Sequence, residues 1–172
     1  MAAAGYRCEC CGEWHDELPF AWHFEAPVHW TDDAATHEDS FLGPETCSVR
    51  GEHFFIRGVL PLPVAGSGER FEWGVWSSLS PANFERAGRL WTTTGRETEP
   101  PYSGWLSTAL PYESSTVSLP VWVHTQPVGL RPLIEVDRSV EHLLAREQRE
   151  GIDLARVQEI ATVLEHPGQR LG

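Results

Sequence analysis

Two apolar runs set close together, HFFIRGVLPLP from His53 and FEWGVWSSL from Phe71, commit this chain to a β-sheet. Both are rich in β-branched and aromatic residues, and the connecting VAGSGER is turn-like, as is the GE that separates TCSVR from the first run. In the second run Phe71, Trp73, Val75 and Leu79 fall on one face and Glu72, Trp76 and Ser78 on the other. That is the period of two that a pleated strand imposes, and an antiparallel meander follows from it. GWLSTAL, TVSLPVWVHT and LRPLIEVD read as further strands. Pro120 and Pro132 predict edge or bulged positions for theirs, because proline has no N–H to give to a ladder. The GSGER stretch lies between two strands and reads as a hairpin loop, not as a phosphate-binding glycine loop.

Helices are signalled by their ends. Thr31 can cap a short helix in TDDAATHEDSF, with acidic residues in its first turn. Ser80 followed by Pro81 starts a second, and Ala82, Phe84, Ala87 and Leu90 lay an apolar stripe against the sheet. SVEHLLAREQRE, stopped by Gly151, and DLARVQEIATVLEH, with Asp153 as cap and Pro167 beyond, give two C-terminal helices. In the last of these Val157, Ile160, Ala161 and Leu164 form the apolar face. TTTGRETEPPYSG, Thr92 to Gly104, reads as a surface loop. Strands followed by helices place the chain in the α+β class. One domain, 1–172, is expected: a Cys-rich knuckle over 1–15, mainly sheet with one helix over 45–136, and helices over 138–166.

The chain's 172 residues suffice to bury about two-thirds of the unfolded surface, so neither metal nor disulfide is required for folding. A net charge of −12 without a concentrated basic patch opposes nucleic acid and anionic membranes as partners. No signal-peptide-like apolar core and no membrane-length apolar run is present, so the expected location is the cytoplasm. There thiols stay reduced, and C-x-x-C spacing points to a metal or to redox chemistry.

That spacing occurs in CECCGEWH, Cys8 to His15. Cys8 and Cys11 can direct two sulfurs at one ion, and Gly12 allows the backbone to turn back toward them. This is half of a zinc ribbon, and a closed structural site needs four ligands. Cys47, at the start of a strand, is the expected third ligand. His15 is the nearest imidazole, with His37 and His53 as alternatives. Cys10, between the pair, is expected to point away. The competing reading leaves the thiols unliganded, with Cys47 a small core residue; a redox dithiol lacks the surrounding βαβ pattern.

Other constellations are weaker. His23, His29 and His37 cluster with Glu25, Asp32, Asp33, Glu38 and Asp39, but without H-E-x-x-H spacing, and acidic residues at a helix start have a plain dipole explanation. No G-x-S-x-G nucleophile motif is present. The eight tryptophans, at 14, 22, 30, 73, 76, 91, 105 and 122, divide between core and binding surface. Trp73 and Trp76 face opposite sides of one strand, which predicts that one of them is exposed.

CxxCGExH, GEHFFIRGVLPLPV, FEWGVWSSLS, EPPYSGWLSTALPYE and EHLLAREQREGI together resemble the bacterial domain-of-unknown-function family numbered 2199, over nearly the whole chain. The resemblance is compatible with Cys8, Cys11 and Cys47 as a set, makes Cys10 a local addition, and carries no catalytic residue.

The expectation is therefore a mainly antiparallel sheet flanked by helices, with an N-terminal zinc-knuckle-like segment whose structural zinc is held by Cys8, Cys11, Cys47 and His15. The function expected is a non-enzymatic cytoplasmic binding protein whose acidic, aromatic surface suits a basic protein partner, a toxin to be neutralised being one such partner. The alternative is a metal-dependent hydrolase with three zinc ligands and Glu13, Glu38 or Asp39 as base.

Overall fold

The computed structural model describes residues 5–172, so the first four residues of the 1–15 segment lie outside the described chain. A small antiparallel ribbon pairs β1 (Tyr6–Arg7) with β2 (Trp14–His15). The main sheet has eight strands: β3 (Ala21–His23), β4 (Phe41–Leu42), β5 (Thr46–Val49), β6 (His53–Pro63), β7 (Arg70–Leu79), β8 (Tyr102–Trp105), β9 (Pro120–His124) and β10 (Leu133–Val136). The α-helices among the described residues are α1 (Asp32–Ala35), α2 (Pro81–Arg89), α3 (Leu143–Glu150) and α4 (Leu154–Glu165), with a 3-10 turn at Arg96–Thr98. The α+β class holds, and the sheet is mainly antiparallel, with parallel pairing of β3 to β7 and of β10 to β6.

The expected meander is its centre. β6 and β7 pair from Phe54↔Leu79 to Pro63↔Arg70, closed by a turn in which Val64 N–H donates to Glu69 O at 2.9 Å. Strand order across the sheet is β3-β7-β6-β10-β9-β8, with β5 and β4 added beside the start of β6. β6 is long enough that one edge is shared by β5, at 53–56, and by β10, at Val59. β7 is shared likewise: β3 takes residues 72–74, and the chain after β8 reaches Ser77 through Leu106. Ser107 N–H completes that junction by donating to Trp76 O at 2.8 Å. The sheet thus curls until its last strand meets β7.

Both faces of the β6–β7 ladder are covered. Ile56, Leu60, Leu62, Phe71, Trp73 and Val75 face a core completed by α3 and α4, with Leu144, Val157, Ile160 and Ala161 inserted. The opposite face carries Phe55 and Trp76, closed over by Ala34, Cys47 and Val49. Trp73 and Trp76 are therefore both fully buried, which corrects the expectation that one is exposed. The segment following β3 covers the second face, and the Trp76 indole N–H donates to Phe24 O at 2.9 Å.

The capping signals hold. Thr31, Ser80 and Asp153 each accept from a backbone N–H of the first turn of α1, α2 and α4. α3 starts at Leu143, capped by the His142 ring, and not near residue 138, where Asp137 and Ser139 form a turn instead. β9 and β10 are interior strands, contrary to the edge expectation. Pro120 occupies the first position of β9 and Pro132 precedes β10, which spares both ladders. The expected loop Thr92–Gly104 runs into β8 from Tyr102, and its earlier part is ordered from within by Arg96, whose buried guanidinium donates to the carbonyls of Trp91, Gln126, Pro127 and Leu130.

Gly104 is required where β8 crosses onto β7. A Cβ there would overlap the Ser78 carbonyl oxygen and the Ser77 hydroxyl, whereas one at Gly88, on the exposed side of α2, meets nothing. Gly104→Ala is expected to lower the free energy of unfolding by about 2 kcal/mol. Gly88→Ala is expected to raise it by about 0.5–1 kcal/mol. Urea unfolding of both variants checks the pair.

Candidate metal centre

The turn between β1 and β2 is built around Cys8. Its N–H donates to Glu13 O at 2.8 Å, its carbonyl accepts from Gly12 N–H at 2.9 Å, and Gly12 takes the left-handed conformation (φ 72°) that the sequence anticipates. Arg7 braces the same turn by donating from Nε to Gly12 O at 2.9 Å. The turn tucks the Cys8 sulfur inward, leaving the residue 1% exposed, while Cys11 stays at the surface.

The third donor arrives from the far end of the chain. α4 packs its Val157, Ile160 and Ala161 face into the core, which carries its C-terminal turn to the ribbon. His166 ends that helix, its N–H donating to Thr162 O, and its Nε2 lies 3.3 Å from Cys8 Sγ. The ligand atoms of Cys8, Cys11 and His166 all lie within 4.8 Å of one another. Tetrahedral zinc, with bonds of about 2.3 Å to sulfur and 2.0–2.1 Å to nitrogen, wants its donors about 3.5–3.8 Å apart. The set fits that ion with small side-chain adjustments.

The electrostatics favour a thiolate at Cys8. The backbone N–H groups of Cys11 and Cys10 and the side chain of His166 favour its thiolate, outweigh desolvation and bring its pKa down to about 6. At Cys11 the Glu13 N–H favours the thiolate, but desolvation and the neighbouring Cys8 prevail and the pKa is raised. The pair therefore holds one negative charge before it holds two.

His15 is near but otherwise engaged. Its ring stacks on Tyr6, its Nε2 is 4.0 Å from Cys11 Sγ, and the same nitrogen is 3.0 Å from Glu165 Oε2. Burial, then Glu165, push the Tyr6 hydroxyl up to about 12. The structure does not bring Cys47 to this group. Its strand β5 places it between Leu42 and Phe55 in the second apolar cluster, where burial pushes the thiol up to about 11. Cys10 points away, as expected, and accepts from Gln169 Nε2 at 3.0 Å.

The acidic and histidine-rich stretch before β4 gathers into no metal-capable group among the described residues. His37 Nδ1 accepts from Asp39 N–H, Asp33 pairs with Arg50, and His29 stacks on Phe55. His166 was missed by sequence reasoning, although the residues that end α4 contain it. The signal available was a histidine at a helix C-terminus just before Pro167.

The family model for an uncharacterised protein conserved in bacteria, DUF2199, matches residues 7–152. The chain belongs to DUF2199. No curated protein and no solved structure matches it significantly. The DUF2199 match takes in Cys8, Cys11, His15 and Cys47, whereas His166 lies on the helix beyond it. No helix among the described residues of this DUF2199 chain is long and apolar enough to cross a membrane.

A depressed thiol pKa stabilises the fold above the ordinary thiol range, and that contribution declines as pH falls through about 6. Absorbance of thiolate at 240 nm in metal-free protein is expected to show one sulfur titrating with a midpoint near 6. Cys8→Ser should remove that step, and Cys47→Ser should leave it in place.

Proposed function

We propose that Cys8, Cys11 and His166 hold a structural zinc ion, and that the domain is a non-enzymatic protein-binding module ordered by it. The observation that carries the metal reading is the approach of a buried, thiolate-poised cysteine to the histidine that ends α4, 3.3 Å away and 158 residues along the chain. A soft, nitrogen-and-sulfur donor set of this kind suits zinc in a reducing, cytoplasmic setting. Bound there, zinc supplies no redox chemistry and closes a clasp between the ribbon and the last helix.

His15 is the candidate fourth ligand, reached by turning its ring from Glu165 toward Cys11. Glu165 then becomes an outer partner that fixes the imidazole, a common arrangement around zinc histidines. The protein-binding half of the reading is supported by the surface. Trp14, Trp22, Trp105 and Trp122 are all exposed on a chain of net charge −12, and exposed aromatics of this size are enriched where proteins meet.

The hydrolase alternative draws on the convergence of three donors and a groove of about 460 Å³ beside Cys10 and Thr162. Of its expected bases, Glu13 lies in the ribbon's own turn beside Cys11, whereas Glu38 and Asp39 follow α1, and the metal-capable group includes no carboxylate. The structural reading needs no such base.

Elemental analysis of purified protein is expected to find close to one equivalent of zinc, and a value below about a tenth would remove the proposal. His166→Ala and Cys8→Ser should each weaken zinc binding more than about 100-fold, measured by competition with a chromophoric chelator. Chelation should speed hydrogen exchange in residues 6–15 and 154–166 and lower Tm. Cys47→Ser should keep the zinc while costing about 1–3 kcal/mol of stability, because it puts a hydroxyl into an apolar cluster.

A further inference from the structure

On the side of the sheet where β8 and β9 pair, a groove of about 630 Å³ runs between the N-terminus of α2 and the turn that follows β10. Its floor is aromatic. Ser103 lies opposite Trp122 and Trp105 opposite Pro120, so Trp105 and Trp122 are diagonal neighbours on one outward face. They are 57% and 37% exposed, while Trp73 and Trp76 are fully buried. The surface tryptophans are therefore not spill-over from the core.

The groove is lined by two carboxylates, Asp137 and Glu52, and by His29 and His53; burial, then His53, lowers the pKa of His29. The chain has 13 arginines and no lysine, and no arginine lines this groove.

Asp137 does more than add charge. Its Oδ1 accepts from Ser139 N–H and Oγ, which lock the carboxylate in place, and its Oδ2 accepts the Trp122 indole N–H at 2.8 Å. A carboxylate bonded to an indole N–H pushes electron density into the ring and strengthens its negative face, the face that attracts cations. The Trp105 indole N–H has no protein partner among the described residues, so it can donate to a carbonyl of an incoming chain.

We infer that this groove binds an extended segment of another protein through arginine side chains, which stack on Trp105 and Trp122 and face Asp137 and Glu52. The inference rests on the protein-binding reading above and names its site and the chemistry of its partner. Guanidinium fits better than a compact ammonium, because it is planar, weakly hydrated and stacks on aromatic faces. Two aromatic planes side by side suit successive outward side chains of an extended strand, and electrostatic attraction between an acidic groove and a basic segment speeds their encounter.

The test uses the full chain as purified, titrated at low salt against a fluorescent short peptide of alternating glycine and arginine. The control peptide carries citrulline in place of arginine, which keeps shape and hydrogen-bond donors and removes the charge. Saturable binding is expected for the arginine peptide, with the citrulline peptide at least about tenfold weaker. Trp105→Ala and Trp122→Ala should each weaken binding by about tenfold, within the range of cation–π contributions, and Trp105→Phe should retain most of it. Asp137→Asn should flatten the salt dependence.

Equal binding of the two peptides, or affinity within twofold of wild type in both alanine variants, overturns the inference. Concentration-dependent self-association abolished by Trp105→Ala would make a second copy the occupant and overturn it as well. Zinc is measured on the same samples. A failed groove with zinc retained leaves the metal clasp standing, and arginine-selective binding without zinc sinks the clasp alone.

Discussion

Ten successive cross-strand pairs hold β6 against β7, and this ladder is longer than any strand set beside it. That mismatch organises the molecule. Each strand of the ladder has a free edge with room for two partners, so β5 and β10 share β6, while β3 and the Leu106 segment share β7. A sheet extended in this way at both edges, and twisted as strands are, curls until β8 returns to β7. It leaves two faces to cover, and the chain covers one with α3 and α4 and the other with the segment between β3 and β6.

Much of this was legible because it is local. The ladder announces itself through alternation, and the helix starts at Thr31, Ser80 and Asp153 through side chains that satisfy N–H groups within three residues. What failed was set at a distance. Alternation at Trp73 and Trp76 says that they face opposite sides, but not that a segment closing from before β4 covers the second side and gives Trp76 a carbonyl partner at Phe24. Pro120 and Pro132 exclude ladder N–H groups at two positions, yet a strand can be interior if the proline sits at its start, as β9 shows. Within Thr92–Gly104 nothing repetitive marks order, because the order comes from one arginine satisfying four carbonyls from two separate stretches of chain.

The candidate metal centre divides along the same line. Cys8, Cys11 and the role of Gly12 follow from spacing, since the turn that presents both sulfurs is six residues of contiguous chain. The remaining donor depends on where α4 ends after its apolar face is buried, which is a property of the whole core. Cys47 met the local criterion of a cysteine starting a strand, but on β5, paired with Phe55, its side chain lies on the other face of the sheet, in the cluster with Trp76. Outward-facing Trp105 and Trp122 show the complementary lesson: their positions on β8 and β9 alternate with Tyr102, Val121 and Val123, which are buried.

The separation of 158 residues between Cys8 and His166 also imposes an order in time. Closing so long a loop is entropically unfavourable until the intervening chain is compact, so their contact belongs among the last to form. During synthesis, at roughly 5–20 residues per second, the cysteine pair waits about 8–30 s for its histidine to be made. Through that interval the thiols have His15, Cys10 and Cys47 within the chain, but not the imidazole that ends α4. Their union with the imidazole marks a molecule whose sheet, core and final helix are already in place.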